Sequence, residues 1–133
     1  MKVIDGEGAV MGRLASYAAK ESLKGEEVAV VNCEKIIITG NRKDIKENFE
    51  ARRKRVGSTQ KGPKYSRTPE KIVKKVMRGM LPNARHSGRG RDAFKRIKCY
   101  VGVPKEFENS EKINLKQTKN KFLTVKEVSK ILK

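Results

Sequence analysis

A continuous apolar run, Val28-Ala29-Val30-Val31, is the feature that most constrains how this chain of 133 residues can fold. A strand with one solvent-facing side alternates apolar and polar residues, whereas an unbroken apolar run is typical of a strand buried on both faces. The residues before it predict a short strand at 2–5, a turn, and a helix from Met11 to Leu23 with apolar residues at helical spacing. Strand, helix and strand in this succession predict a parallel pair joined by a right-handed crossover.

The rest of the chain continues the alternation of strands and helices. An apolar run predicts a further strand at 36–38, and an alternating pattern predicts a half-exposed strand at 97–101. Helical patterns span 41–55 and 92–96. Another helix is predicted to start at Thr68-Pro69, with Thr68 as its cap, and to stop at Leu81-Pro82. Its predicted buried face consists of Ile72, Val73, Val76, Met77 and Met80.

These elements predict an α/β fold: a single three-layer domain with a small, mainly parallel four-stranded sheet flanked by helices on both faces. Segments 56–68 and 83–91 lack periodicity and are predicted to be long basic loops. We expect residues 1–104 to form this domain and residues 105–133 to form a polar tail. The tail should end in a short amphipathic helix, because Thr124-x-x-Glu127 has the form of a capping box.

Charge is distributed very unevenly along the chain, which has a net charge of +18. Residues 1–51 hold 8 basic and 9 acidic side chains, whereas residues 52–96 hold 16 basic and 2 acidic ones. The remaining 37 residues hold 9 basic and 4 acidic side chains. A solvated charged face is the ordinary explanation for a basic run, but a central block of net charge +14 indicates a polyanionic partner.

Several other classes of function are disfavoured by the sequence. No run reaches the ~18 apolar residues of a membrane-spanning helix, and the first residues lack the apolar core of a signal peptide. Cys33 and Cys99 are far apart and His86 is the only histidine, so we expect two reduced thiols and no metal centre. We also expect no cofactor and no small-molecule substrate.

Gly6-x-Gly8-x-x-x-Gly12 follows a strand and opens a helix, as dinucleotide-binding turns do. The preceding strand is short and Glu7 would place a negative charge beside the phosphates, so a tight turn is the better interpretation. No nucleophile elbow, P-loop or pair of positioned acid and base residues is evident. The chain is therefore predicted not to be an enzyme.

Nucleic acid is the favoured partner. Arginine side chains suit bidentate phosphate contacts and stacking on unpaired bases, and glycines 57, 62, 88 and 90 could let the backbone approach phosphates. No helix-turn-helix, zinc finger or basic zipper is present, which favours folded RNA recognised through shape and phosphates. The candidate contacts in the central block are Arg52, Arg53, Lys54, Arg55, Lys61, Lys64, Arg67, Lys74, Lys75, Arg78, Arg85, His86, Arg89, Arg91, Lys95 and Arg96.

Several stretches resemble one known family. They are VIDGEGAVMGRLAS (residues 3–16), VAVVNCEKIIITG (28–40), GPKYSRTP (62–69), VMRGMLP (76–82) and the run from Phe94 through KRIKCYVGVP to Pro104. In this order and spacing, they are similar to the archaeal form of the large-ribosomal-subunit protein family thirteen. The resemblance covers most of residues 3–104.

The resemblance implies a cytoplasmic structural protein of the large ribosomal subunit that binds large-subunit ribosomal RNA and neighbouring ribosomal proteins. By matching position, it implies RNA contacts at Arg13, Ser16, Lys64, Arg67 and Arg78. Two alternatives stay open on the sequence alone: an enzyme that binds RNA or a nucleotide, and a regulatory RNA-binding module that acts away from the ribosome.

Overall fold

The computed structural model describes residues 1–57, 62, 65–83, 85–117 and 121–132. Two short 3-10 turns, Cys33–Lys35 and Lys105–Phe107, accompany the helices and strands. In chain order the helices and strands are β1 (Lys2–Asp5), α1 (Met11–Leu23), β2 (Val28–Val31), β3 (Ile37–Thr39), α2 (Arg42–Lys54), α3 (Pro69–Met80), α4 (Gly88–Arg96), β4 (Ile97–Cys99), β5 (Lys112–Asn114), β6 (Phe122–Thr124) and α5 (Val125–Leu132).

The main sheet has four strands in the order β4-β2-β1-β5, and every pairing within it is parallel. In the central pair, Val3 lies beside Ala29 and Ile4 beside Val30. All four residues of β2 are buried, as expected for a strand covered on both faces. The predicted α/β fold is confirmed, and so is the parallel pair joined through α1.

The strand predicted at 36–38 does not join this sheet. As β3 it pairs antiparallel with β6 in a separate two-stranded sheet. A parallel neighbour of β2 would need a crossover of roughly a dozen residues or more, and the chain here is far shorter. Asn32 adopts a left-handed conformation with φ of 55° and leads into the Cys33–Lys35 turn, which takes the chain out of the sheet.

The fourth strand of the main sheet is β5, which lies in the segment predicted to be a polar tail. It pairs with β1 along the edge, and its sequence Lys112-Ile113-Asn114 has only half-buried or exposed positions. An edge strand of this kind carries little hydrophobic signal, so composition alone assigns it to a tail. Strand β5 and helix α5 therefore belong to the same fold as the preceding residues.

Two apolar layers cover the sheet. On one face, Ile4, Val28 and Val30 lie in the main core with residues of α1, α3 and α5. On the other face, Val3 and Val31 pack in a smaller cluster that contains Phe107. The covering segment on this second face is the Lys105–Phe107 3-10 turn rather than an α-helix.

The predicted C-terminal amphipathic helix is confirmed as α5. Thr124 and Glu127 form the predicted capping box: the Thr124 amide donates to Glu127 Oε2 (2.9 Å), and the Glu127 amide donates to Thr124 Oγ1 (3.3 Å). Val125, Val128 and Leu132 extend from this helix into the main core. Within the described residues, no helix is both long enough and apolar enough to cross a membrane.

Candidate nucleic-acid interface

The basic end of α2 projects from an apolar anchor. Ile45 and Phe49 are buried, and the Asn41 side chain caps the helix by accepting from the Lys43 amide (3.2 Å). One turn beyond Phe49, the helix ends in Arg52, Arg53 and Lys54, followed by Arg55. Cations are favourable at this end because the helix dipole is negative there.

The four basic residues at this end of α2 differ in their surroundings. Arg52, Lys54 and Arg55 are exposed, and the Arg52 guanidinium carbon lies 5.8 Å from the centre of the Phe49 ring. Arg53 is half-buried and its Nη1 donates a hydrogen bond to the carbonyl oxygen of Tyr65 (3.2 Å). Arg53 therefore ties the loop to the helix in the free protein, whereas the other three side chains are available to a partner.

Helix α3 is strongly amphipathic. Ile72, Val73 and Met77 are buried, and Val76 is half-buried against the core. Met80 does not belong to the buried face as predicted: it is 43% exposed, because the helix ends there and Leu81 enters the core in its place. Thr68 is the N-cap residue of α3 and Pro69 is the first helical residue, as predicted, but the Thr68 side chain makes no capping hydrogen bond.

The outward side of α3 carries four cations beside two aromatic rings. Lys71, Lys75 and Arg78 are exposed and Lys74 is half-buried. The Lys75 ammonium lies 3.9 Å from the centre of the Tyr65 ring, and that of Lys74 lies 4.8 Å from the centre of the Phe94 ring. Such cation–π contacts are modest in water, but they fix where the ammonium groups are held.

Six cations on α3 and at the end of α2 line adjoining grooves along α3. We call this set of residues the α3 basic surface. The α3 basic surface consists of Arg52, Arg55, Lys71, Lys74, Lys75 and Arg78.

Three adjoining grooves run along α3, and the one that Lys71 and Lys74 line has a volume of about 280 Å³. The α2–α3 groove has a volume of about 380 Å³ and is lined by Arg52, Arg55, Tyr65, Lys75, Val76 and Gly79. The α3–α4 groove has a volume of about 440 Å³, and Lys75, Arg78, Gly79 and Phe94 are among its lining residues. Among the described residues that line either groove, none is acidic. The electrostatic field in both is therefore positive and favours an anion.

The segment predicted as a loop at 83–91 is only partly a loop. The Asn83 side-chain oxygen accepts from the Arg85 amide (3.0 Å), and the His86 and Ser87 amides donate to the Asn83 carbonyl oxygen (3.1 and 2.9 Å). Helix α4 then begins at Gly88, four residues earlier than the sequence predicts. The sequence did not predict the start of α4 at Gly88, because the glycines and arginines of its first turn provide no apolar residues at helical spacing.

Helix α4 presents Arg89, Arg91 and Lys95 to solvent. Arg96 is different: it is half-buried, and its Nη1 donates to the carbonyl oxygen of Ser22 (3.1 Å) at the end of α1. Arg96 therefore joins two helices of the fold, a role that the sequence prediction did not distinguish from that of the exposed cations.

Two glycines expected to approach phosphates instead allow contacts within the chain. Gly90 is buried, and a Cβ there would overlap the Pro82 carbonyl. Gly62 has a φ of 49°, and a Cβ there would overlap the Arg55 carbonyl. Close backbone packing, rather than a ligand, requires these two glycines.

The remaining candidate contacts lie apart or outside the described residues. Arg13 and Ser16 are on the exposed side of α1 and line neither groove. Arg67 is exposed, and its carbonyl oxygen accepts from Ser129 Oγ (2.6 Å), which attaches the loop to α5. Lys61 and Lys64 lie outside the described residues.

The dinucleotide-like glycine motif is a turn that packs on the chain itself. The Gly6 amide donates to the Val31 carbonyl (2.9 Å), and a Cβ at Gly6 would collide with the backbone of Val31 and Asn32. Gly8 has a φ of 68°, which favours glycine. The motif is therefore explained by the turn.

Cys33 and Cys99 are free thiols. A hydrogen bond with the neighbouring Cys99 thiol, together with burial, raises the pKa of Cys33 and keeps it protonated. Across the part of the chain that the structure describes, no three His, Cys, Asp or Glu side chains come together as metal ligands.

Comparison with known proteins identifies the family. The sequence profile described as Ribosomal protein L13 matches residues 1–106. The chain belongs to the ribosomal protein L13 family. This is a family of ribosomal proteins rather than of enzymes, in agreement with the prediction.

Curated relatives from archaea cover almost the whole chain. Each is named large ribosomal subunit protein uL13. The protein from Methanocaldococcus jannaschii is 45% identical over 99% of this chain and 97% of its own length. That from Methanococcus maripaludis is 48% identical over the same shares of the two chains. The protein from Archaeoglobus fulgidus is 43% identical over 98% of this chain and 86% of its own. The similarity thus extends past residue 104 into β5 and α5.

Proposed function

We propose that this chain is a structural constituent of the large ribosomal subunit and that it binds large-subunit ribosomal RNA through the α3 basic surface. Family membership supports the ribosomal role. The observation that carries the RNA-binding role is the grouping of six cations around three adjoining grooves whose described lining has no acidic residue. In the ribosome, within the cytoplasm, RNA phosphates would offset the self-repulsion of these charges.

The α3 basic surface suits RNA better than duplex DNA. The sequence contains no helix-turn-helix, zinc-finger or basic-zipper motif, which are the usual means of reading a DNA major groove. Exposed lysine and arginine side chains can reach phosphates without reading sequence, and half-buried Tyr65 and Phe94 offer rings to unpaired bases. We infer that binding depends on RNA shape and phosphates, with neighbouring ribosomal proteins as further partners.

The triple variant Lys71→Gln, Lys75→Gln, Arg78→Gln tests this proposal. Its control is Lys20→Gln, Lys43→Gln, Lys46→Gln, which removes the same charge from exposed positions on α1 and the start of α2. Sucrose-gradient fractionation after a high-salt wash should show wild type and control with the large subunit, and the α3 variant in the light fractions. Equal loss in both variants would indicate that net charge, rather than this surface, determines binding.

A further inference from the structure

Gly79 is an exposed glycine in the last turn of α3 that the fold does not require. A Cβ built at this position meets nothing within 4 Å, and its φ is not in the left-handed region. Alanine would fit here and would favour the helix, since glycine loses more conformational freedom on folding. Gly90 differs, because there the chain itself fills the space of a side chain.

Gly79 lies where two surface grooves meet, and the absence of a side chain there leaves this junction open. Gly79 and Lys75 each line both the α2–α3 groove and the α3–α4 groove. They lie one turn apart on the outward side of α3, so the two grooves meet across the helix at this point. The junction is bordered by Arg52 and Arg55 on one side and by Arg78 on the other.

We propose that a single-stranded segment of ribosomal RNA crosses α3 at Gly79, with its sugar-phosphate backbone against the glycine Cα and its phosphates held by Lys75 and Arg78. This inference rests on the proposed function and specifies where the RNA lies closest to the protein. A bare helix backbone lets a strand approach more closely than any side chain would allow.

The rings in the two grooves favour an unpaired strand over a duplex. Tyr65 lies in one groove and Phe94 in the other, and unpaired bases can stack on such rings, whereas bases inside a duplex cannot. In the free protein, Lys75 lies over the Tyr65 ring. Because this contact is weak at an exposed site, a phosphate can draw the ammonium away and free the ring face for a base.

Size changes at Gly79 test the crossing without changing charge. We would compare Gly79→Ala and Gly79→Leu with wild type for thermal unfolding of the free protein and for filter binding of a large-subunit ribosomal RNA transcript. The unfolding temperature should stay equal or rise. The Kd should rise by about threefold for alanine and about tenfold or more for leucine, because the added side chain holds the strand away from the helix backbone.

Gly12→Ala is the matched control, because Gly12 is also exposed, helical and open but lines neither groove. Its Kd should equal that of wild type. Unchanged affinity of both Gly79 variants, alongside tight wild-type binding, would overturn the crossing and leave the proposed function intact. So would a fall in the unfolding temperature of Gly79→Ala, since the glycine would then serve the fold. Failure of wild type to bind the transcript would remove both proposals.

Competition distinguishes the form of the RNA. An oligouridylate of about 12 nucleotides should displace the transcript from wild type more effectively than an RNA duplex of the same length, and Gly79→Leu should weaken the oligouridylate more than the duplex. A stronger effect on the duplex would contradict the single-stranded crossing.

Discussion

A single carboxylate, Glu21, joins the two ends of the strand–helix unit that opens the chain. Its side chain is only 7% exposed and lies between Lys2 at the start of β1 and Lys24 just after α1. The hydrogen bond from Lys2, followed by that from Lys24, lowers the pKa of Glu21 below its usual 4.5. The folded state therefore favours the charged carboxylate more strongly than the unfolded state does.

A lowered pKa makes this stabilisation depend on pH in a defined direction. The contribution of Glu21 is fully present above pH 4.5 and is lost as the pH falls through its lower folded-state pKa. Glu21→Gln should therefore unfold at lower urea concentration than wild type near neutral pH, and the difference should shrink in acid. A constant difference in midpoint down to about pH 2 would show that packing, rather than charge, is what the substitution removes.

Two glycines in α4 should respond oppositely to the same added methyl group. Gly90→Ala would force a Cβ into the Pro82 carbonyl and should lower the free energy of unfolding by about 1–3 kcal/mol. Gly88 is exposed with open space around it, so Gly88→Ala should change the value by no more than about 0.5 kcal/mol, with a gain favoured. Urea denaturation measures both, and similar losses would contradict the packing at Pro82.

At the scale of elements, two threonines stand immediately before helices, but only one makes a capping hydrogen bond through its side chain. Thr124→Ala should cost about 0.5–2 kcal/mol, because it removes the hydroxyl that accepts from the Glu127 amide. Thr68→Ala should change stability by less than about 0.5 kcal/mol, because the Thr68 side chain makes no capping hydrogen bond. Chemical denaturation of the pair tests this contrast; an equal cost would mean that Thr68 caps α3 in solution.

The elements most easily predicted are those whose own pattern of apolar residues reflects which of their faces are buried. The bounds of α1 follow from its apolar period, and β2 follows from its unbroken apolar run. The pairings of β3 with β6 and of β5 with β1 were missed for a different reason. The first depends on the short Cys33–Lys35 turn, and the second depends on which distant segment fills the edge of the sheet. Local pattern does not contain that long-range information.

The candidate site divides in the same way. Charge density in the sequence indicated the α3 basic surface, but it did not show that Arg53 and Arg96 are half-buried and hydrogen-bonded within the fold. Those two arginines are held by the carbonyls of Tyr65 and Ser22, which are distant in sequence or outside the block. Tyr65 and Phe94 were missed as well, because their value lies in the grooves they line.

For the whole molecule, the uneven distribution of charge along the sequence corresponds to an uneven distribution of charge over the protein surface. The near-neutral opening residues supply β1, α1 and β2, whose apolar side chains build the core. The basic block supplies the end of α2, α3 and α4, which cover that core and turn their cations outward. The helices of the basic block thus add their inner sides to the core and carry their exposed cations on the outer sides, so charge can be altered on the surface without disturbing the core.

The salt dependence of RNA binding tests whether the outward cations of the basic block contact phosphates. If about 8 of the 16 basic residues in the central block contact phosphates, the slope of log K against log salt concentration should be about −6 to −7. Arg52→Gln with Arg55→Gln should make that slope shallower by about 1.5–2, because each lost phosphate contact removes close to one released counterion. Both side chains are exposed, so the unfolding temperature should hardly change.

The control pair lies on the same helix. Lys43→Gln with Lys46→Gln removes two exposed charges from the first half of α2, where Asp44 and Glu47 already offset them. Since screened charges more than about 10 Å from the RNA contribute little at physiological salt, this pair should leave the slope unchanged. Equal changes in slope for the two pairs would show that RNA binding depends on total charge, and that the position of the cations has no part in it. A shift confined to Arg52 and Arg55 would instead assign the counterion release to the end of α2 that borders α3.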